Sequence, residues 1–177
     1  DESESRGLGD VYKRQIEVLY NHDYVVNNPE VLDNDSWHLN LPDSIITDIK
    51  SSIQKPGELP YFQLTSIRKP TLKKKFNQLK EAGVVMMIGT DSGVPMKFHS
   101  QSTWNELDIW VRELGVNPLE AIKSASYWPS KFMGVEKKVG TVSEGKQADI
   151  IAVKGDVLRY ISFCLLYTSD AADDGLS

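Results

Sequence analysis

Cysteine is almost missing from this 177-residue chain: there is one, Cys164. A single cysteine excludes an internal disulfide framework. No apolar run approaches the roughly 20 residues that a helical membrane span needs. The first residues are acidic and lack an apolar h-region, so no signal peptide is expected. No glycine-rich phosphate loop follows a strand-like run, which argues against a nucleotide-binding α/β domain. Positive charge is not in excess: the formal net charge is −5, which points away from nucleic acid. What remains is ordinary for a globular protein, with 40% apolar and 25% charged residues and enough length for one domain with a sizeable core.

The two ends read as foreign to that domain. Residues 5–15, Ser-Arg-Gly-Leu-Gly-Asp-Val-Tyr-Lys-Arg-Gln, resemble a translated transposon adapter of the kind used in sequencing libraries. Residues 164–173, from Cys164 to Asp173, resemble the same adapter translated in the opposite sense. Segments 1–15 and 163–177 are therefore expected to be unpacked and are set apart from fold reasoning. Residues 16–162 carry 18 acids against 17 bases, close to neutral. Cys164 falls in the adapter-like tail, so cysteine usage says nothing about redox compartment.

Between those ends, helical and strand-like periods alternate. Residues 16–42 give no clear period: Ile16 to Tyr20 and Tyr24 to Val26 suit short strands or a helix end. From Asp43, with Asp43 as N-cap, Ile45, Ile46, Ile49 and Ile53 fall on one helical face. Residues 56–70 read as a loop anchored by Leu59, Tyr61 and Phe62. A helix is expected from Pro70 to Ala82, buried through Leu72, Phe76, Leu79 and Ala82. Its Lys73-Lys74-Lys75 run reads as a solvated face, and Gly83 as its stop. Trp104, Leu107, Val111 and Leu114 mark a helix over 102–114. Asn117-Pro118-Leu119-Glu120 opens the next as a capping box, with Leu119, Ile122 and Ala125 as its apolar face. Pro129 opens a last short helix, closed by Gly134. Val139 to Val142 and Asp149 to Val153 read as short strands.

The chemistry concentrates at Gly89-Thr90-Asp91-Ser92-Gly93. The preceding run, Val84-Val85-Met86-Met87-Ile88, has the unbroken apolar character of a strand buried on both faces. A carboxylate at the exit of such a strand lies where parallel α/β folds keep their active sites. Withdrawing it from water is costly without a cation or donor beside it, so Asp91 calls for a partner, best of all a metal. The helix–strand–helix order fits the closing turn of a parallel (β/α)8 TIM barrel, and the β unit after it fits a small sandwich beside the barrel. The expected architecture is α/β. Residues 16–135 would form the C-terminal part of the barrel and 136–162 the sandwich strands.

Three segments together resemble the amidohydrolase superfamily of metal-dependent hydrolases, near its imidazolonepropionase-like and dipeptidase branches. The first runs from Leu79 through Gly89-Thr90-Asp91-Ser92-Gly93. The second is His99-Ser100, Glu106-Leu107 and Gly115-Val116-Asn117-Pro118-Leu119-Glu120-Ala121-Ile122. The third runs from Gly140 through Glu144-Gly145-Lys146-Gln147-Ala148-Asp149 to Asp156. The Gly-Thr-Asp-x-Gly motif alone is weakly specific; the three in this order and spacing are strong, and they cover about residues 79–162. The resemblance implies that Asp91 follows the eighth barrel strand and ligates or abuts a divalent metal, with zinc the expected ion, singly or as a pair. It implies that Asp91 takes a proton from metal-bound water and returns it to a leaving amine. A metal-bound water ionises near pH 7, and a nearby carboxylate can shuttle its proton. His99 would line the pocket of a small-molecule substrate, with the reading as a surface loop histidine standing beside it. Ser92 can donate to Asp91 or to substrate, and also reads as an ordinary turn serine.

The chain lacks the family's His-x-His pair, its bridging Lys and its middle-strand His ligands, all of which lie upstream. Catalytic zinc needs about three protein ligands, and only Asp91 is a convincing one here. The isolated chain is therefore expected to bind no metal tightly and to be inactive. His22 and His38 read as loop histidines, Glu106 as support for the 102–114 helix or a loop, and Trp104, Trp110 and Trp128 as packing. Lys146 and Asp149 read as structural residues of the sandwich. Two functions remain open. One is a fragment of a metal-dependent amidohydrolase that cuts a carbon–nitrogen bond in a cyclic amide or dipeptide-like substrate. The other is a non-catalytic barrel-fold binding protein that has lost its metal ligands.

Overall fold

Local hydrogen bonding decides what forms. A computed structural model of the chain describes residues 16–34, 38, 41–53, 60–90, 102–153 and 155–161, and in these the regular elements are helices. They are α1 (Glu17–Asn27), α2 (Asp43–Ile53), α3 (Pro60–Gln63), α4 (Thr65–Glu81), α5 (Ser102–Arg112), α6 (Pro118–Ala125) and α7 (Tyr127–Phe132), with a 3₁₀ turn at Pro29–Asp33. The ambiguous 16–27 stretch is thus helical. It buries Val18, Leu19 and Val25 on one side, a spacing that strand alternation would have split between two faces.

The core lies where α1, α4 and α5 meet. Leu72 and Phe76 of α4 pack with Leu107, Ile109 and Trp110 of α5 and with Ile16, Val18 and Leu19 at the start of α1. Phe76 meets Trp110 edge-on, with ring centroids 4.9 Å apart and planes at 77°. That geometry sets the positive ring edge against the negative face. Leu114, Val116 and Ala121 continue the core toward α6, and Ile161 returns to it from the far end.

Several expectations need correction. Helix α4 starts at Thr65, so Pro70 lies inside it. Proline there removes one hydrogen bond near the helix start. Tertiary contacts offset the loss: Thr65 is buried, and Lys69 reaches both Asp23 and the Tyr20 ring. Asn117 caps α6 by accepting from Leu119 N at 2.9 Å, but Glu120 does not complete the box and pairs with Lys123 at 2.8 Å instead. The buried residues of α6 are Ala121 and Ser124, while Leu119 is exposed, because small side chains are what the close approach to α5 admits. Helix α7 begins two residues before Pro129.

The strands are the larger difference. Among the described residues none is assigned to a strand, at 84–88, at 139–142 or at 149–153. None of residues 84–88 is fully buried; Met86 and Ile88 lean on the core and Val85 is exposed. A helix closes its hydrogen bonds within itself, whereas a strand needs a neighbour. The backbone bond from this segment to another element runs from Ile88 N to Ser124 O of α6, at 3.1 Å. The 136–153 region is built of turns. Lys146 closes one by donating to Thr141 Oγ1 at 2.5 Å, and Gln147 N reaches Lys138 O at 2.9 Å. Val142, Ile150 and Ile151 stand 81%, 59% and 63% exposed.

Candidate functional site

Asp91, Ser92 and His99 lie outside the described residues, in the span 91–101. What the structure fixes is how that span is approached and left. On the near side Gly83 ends α4 in the left-handed region, with φ 75°, which glycine adopts without strain. Gly83 N and Val84 N bond back to Lys80 O and Leu79 O at 3.0 Å each, turning the chain out of the helix. Residues 84–90 then run half-buried along the core to Thr90, tied to α6 through Ile88. On the far side the chain re-enters at Ser102, fully buried at the start of α5.

Helix α5 carries the most unusual polar packing among the described residues. Glu106 is 1% exposed and Glu17 0%. Glu106 Oε1 accepts from Trp110 Nε1 at 2.9 Å and from Ile16 N at 3.2 Å. Its Oε2 accepts from Ile16 N at 3.2 Å and from Glu17 N at 2.7 Å. These backbone donors are the unsatisfied N–H groups at the start of α1, whose own N-cap residue, Ile16, offers no side-chain acceptor. Asn21 donates to Glu17 Oε1 one turn further on. Glu106 supports its own helix through Trp110, as expected, but its other bonds go to the start of α1, about 90 residues away in sequence, which the expectation did not include. Nothing in periodicity could reveal that partner.

The two described histidines are packed rather than displayed. His22 sits in α1, not in a loop, stacked on Phe62 with centroids 4.4 Å apart and planes at 18°. Its Nδ1 lies 3.4 Å from Asp23 Oδ1. His38 is buried, with Nε2 2.5 Å from Leu32 O. Beside His22, burial pushes the Asp23 carboxyl up, but hydrogen bonds and charge from Lys69 and His22 outweigh it and hold it below the ordinary value. Burial, then the charges of Glu113 and Asp23, raise the Tyr20 phenol. Tyr20, Asn21, Tyr24, Asn105, Asp108, Ile109, Arg112 and Glu113 line a cavity of about 330 Å³, within which Arg112 pairs with Asp108 at 2.6 Å.

The sequence profile of the Amidohydrolase family matches residues 37–173. The chain belongs to the amidohydrolase family. Family membership implies a TIM-barrel-type fold, of which the described residues contribute helices. This amidohydrolase chain is 33% identical over 87 residues to an imidazolonepropionase of Rubrobacter xylanophilus, a match covering 49% of this chain and 21% of that protein. It also resembles a solved Xaa-Pro dipeptidase with methionine bound in its active site. That likeness has 26% identity and a TM-score of 0.47, and covers 82% of this chain and 30% of the other. The amidohydrolase chain thus spans well under half of either relative. Members of the family generally use divalent metals. Among the described residues, no group of three or more His, Cys, Asp or Glu side chains could hold a metal ion. The described part of this amidohydrolase does not by itself fit the group its family uses.

Proposed function

We propose that this chain is part of a hydrolase that cuts a carbon–nitrogen bond in a small molecule, a cyclic amide or a dipeptide-like compound. The observation that carries the reading is the family match across 37–173, with Gly89-Thr90-Asp91-Ser92-Gly93 inside it. In this reading Asp91 is the acid and base: its carboxylate takes a proton from the attacking water and delivers it to the leaving nitrogen. His99 and Ser92 face the substrate. Asp91, with ligands lying upstream in the whole protein, would hold a divalent metal, zinc, which would supply an activated water and polarise the scissile carbonyl. The same reading assigns 16–135 to the barrel, 136–162 to sandwich strands, and 1–15 and 163–177 to adapter-derived tails.

The test is recovery of the parent gene, followed by Asp91→Asn in the full-length protein. The expected result is a fall in kcat of about 10²–10⁴-fold, the usual span for losing a general acid–base, with a smaller fall in bound metal. Near-normal turnover in that variant overturns the role of Asp91. A full-length protein without metal or hydrolytic activity supports the non-catalytic binding reading instead. The 177-residue chain alone is expected to show no turnover.

A further inference from the structure

Helices α1 and α5 are joined through charge rather than through apolar packing alone. Both oxygens of Glu106 are engaged: each accepts two N–H contacts, from Ile16 and Trp110 at Oε1 and from Ile16 and Glu17 at Oε2. All these donors lie in the core, with Trp110 and Ile16 both buried. The carboxylate also faces the positive end of the α1 dipole, which favours negative charge there. A protonated carboxyl turns one acceptor into a donor. The oxygen that takes the proton becomes a poorer acceptor for the N–H aimed at it, and the charge that strengthens all three donors' bonds is lost. Protonation therefore weakens the closed α1–α5 seam.

We propose that Glu106 is an acid-released clasp, whose ionised carboxylate holds the start of α1 against α5 and whose protonation frees it. The sign is fixed by the geometry. The closed seam binds the proton less well than the open one, so the clasp holds at neutral pH and is lost as pH falls through the carboxylate range. On the elements packed against it, several charged groups have described positions, beyond Asp23 and Lys69, which pair with each other. Helix α1 brings Glu17, engaged by Asn21. Helix α4, which reaches Trp110 through Phe76, brings Lys75 to the cavity that Ile16 and Trp110 also line. On α5 Asp108 pairs with Arg112, and on α6 Glu120 pairs with Lys123 at the surface. Helix α5 also leads directly out of the 91–101 span, so the clasp anchors the helix that follows Asp91 and His99.

The experiment is a pH titration of the full 177-residue chain, labelled with ¹⁵N, from about pH 7.5 down to 4. Hydrogen bonds to a carboxylate move N–H protons downfield. The Trp110 indole proton and the Ile16 and Glu17 amide protons should therefore start downfield and move upfield together, with one midpoint. Below that midpoint, α1 amides should exchange with solvent faster, after correction for intrinsic pH dependence, while α6 amides do not. In Glu106→Gln the joint transition should vanish; in Glu17→Gln it should persist. Separate midpoints, a transition surviving in Glu106→Gln, or its loss in Glu17→Gln overturns the proposal. If Glu106→Gln does not fold, Trp110→Phe decides: its Ile16 and Glu17 amides should still titrate together, and independent titration refutes the clasp.

Discussion

Replacing Gly140 by alanine should be among the most damaging single-methyl additions in this chain. Two costs combine. Gly140 has φ 90°, a left-handed backbone that costs a residue with a Cβ roughly 1–2 kcal/mol. The new Cβ would also fall 2.6 Å from Ser130 Cβ and 3.1 Å from Ser126 O, with Ser130 Oγ closer still. Such contacts force α7 and the 140 turn apart, and overpacking of this kind costs about 1–3 kcal/mol. The total is therefore about 2–5 kcal/mol. Gly83→Ala is the control: φ is 75°, but nothing lies within 4 Å of the added Cβ. It should cost only the backbone share, about 1–2 kcal/mol. Urea unfolding monitored by far-UV circular dichroism reads both, through a shift in midpoint at unchanged slope. The Gly140→Ala, Ser130→Gly pair closes a double-mutant cycle, and a coupling of about 1–3 kcal/mol is the expected steric share. Equal costs at positions 83 and 140, with no coupling, would refute the close approach of residue 140 to α7.

Three further outcomes follow from named contacts. Asn117→Ala removes the side-chain acceptor for Leu119 N and should destabilise the chain by about 1 kcal/mol, seen as a lower urea midpoint; no change would mean the cap is idle. Lys69→Met should weaken the acid sensitivity of folding. Because the folded Asp23 carboxyl is held below its ordinary 3.8, its contribution is present above that value and is lost as pH falls through the lower, folded one. Both partners are partly exposed, so the gap between midpoints at pH 7 and pH 3 should shrink by less than about 1 kcal/mol, and an unchanged gap counts against the pair. Phe76→Ala should cost about 3–5 kcal/mol by leaving the edge of Trp110 uncovered, and a cost under about 1 kcal/mol would mean the core is not centred there.

Helices with their own punctuation could be read from the residues. Helix α2, with its isoleucine spacing, α5, with Leu107 and Val111 on one face, and α6, with Asn117-Pro118, all form where their periods place them, although Asp43 is the first residue of α2 rather than its cap and α5 ends at Arg112, before Leu114. Helix α4 was legible only from Pro70 onward, because its first turn depends on Asp23 and Tyr20, which are distant in sequence. The strands were the least legible. Apolar runs such as 84–88 and 149–153 state a preference for pairing, but pairing needs a second edge, and within the described residues no such edge lies beside them. The site was legible as a motif and as a family: Asp91 stands out by its flanking glycines, while its geometry lies outside the described residues. The Glu106 clasp was not legible, since its donors are backbone N–H groups that no residue type announces.

The span of that clasp has a consequence in time. Residue 16 leaves the ribosome about 90 residues before residue 106 does. At synthesis rates of about 5–20 residues per second, the first turn of α1 waits roughly 5–18 s for its acceptor. During that interval Ile16, Val18 and Leu19 have neither the carboxylate nor the Trp110 face to close against. Helix α1 is thus made well before its acceptor and is among the last of the described helices to be completed, and in that interval its apolar face is open to a nascent-chain chaperone.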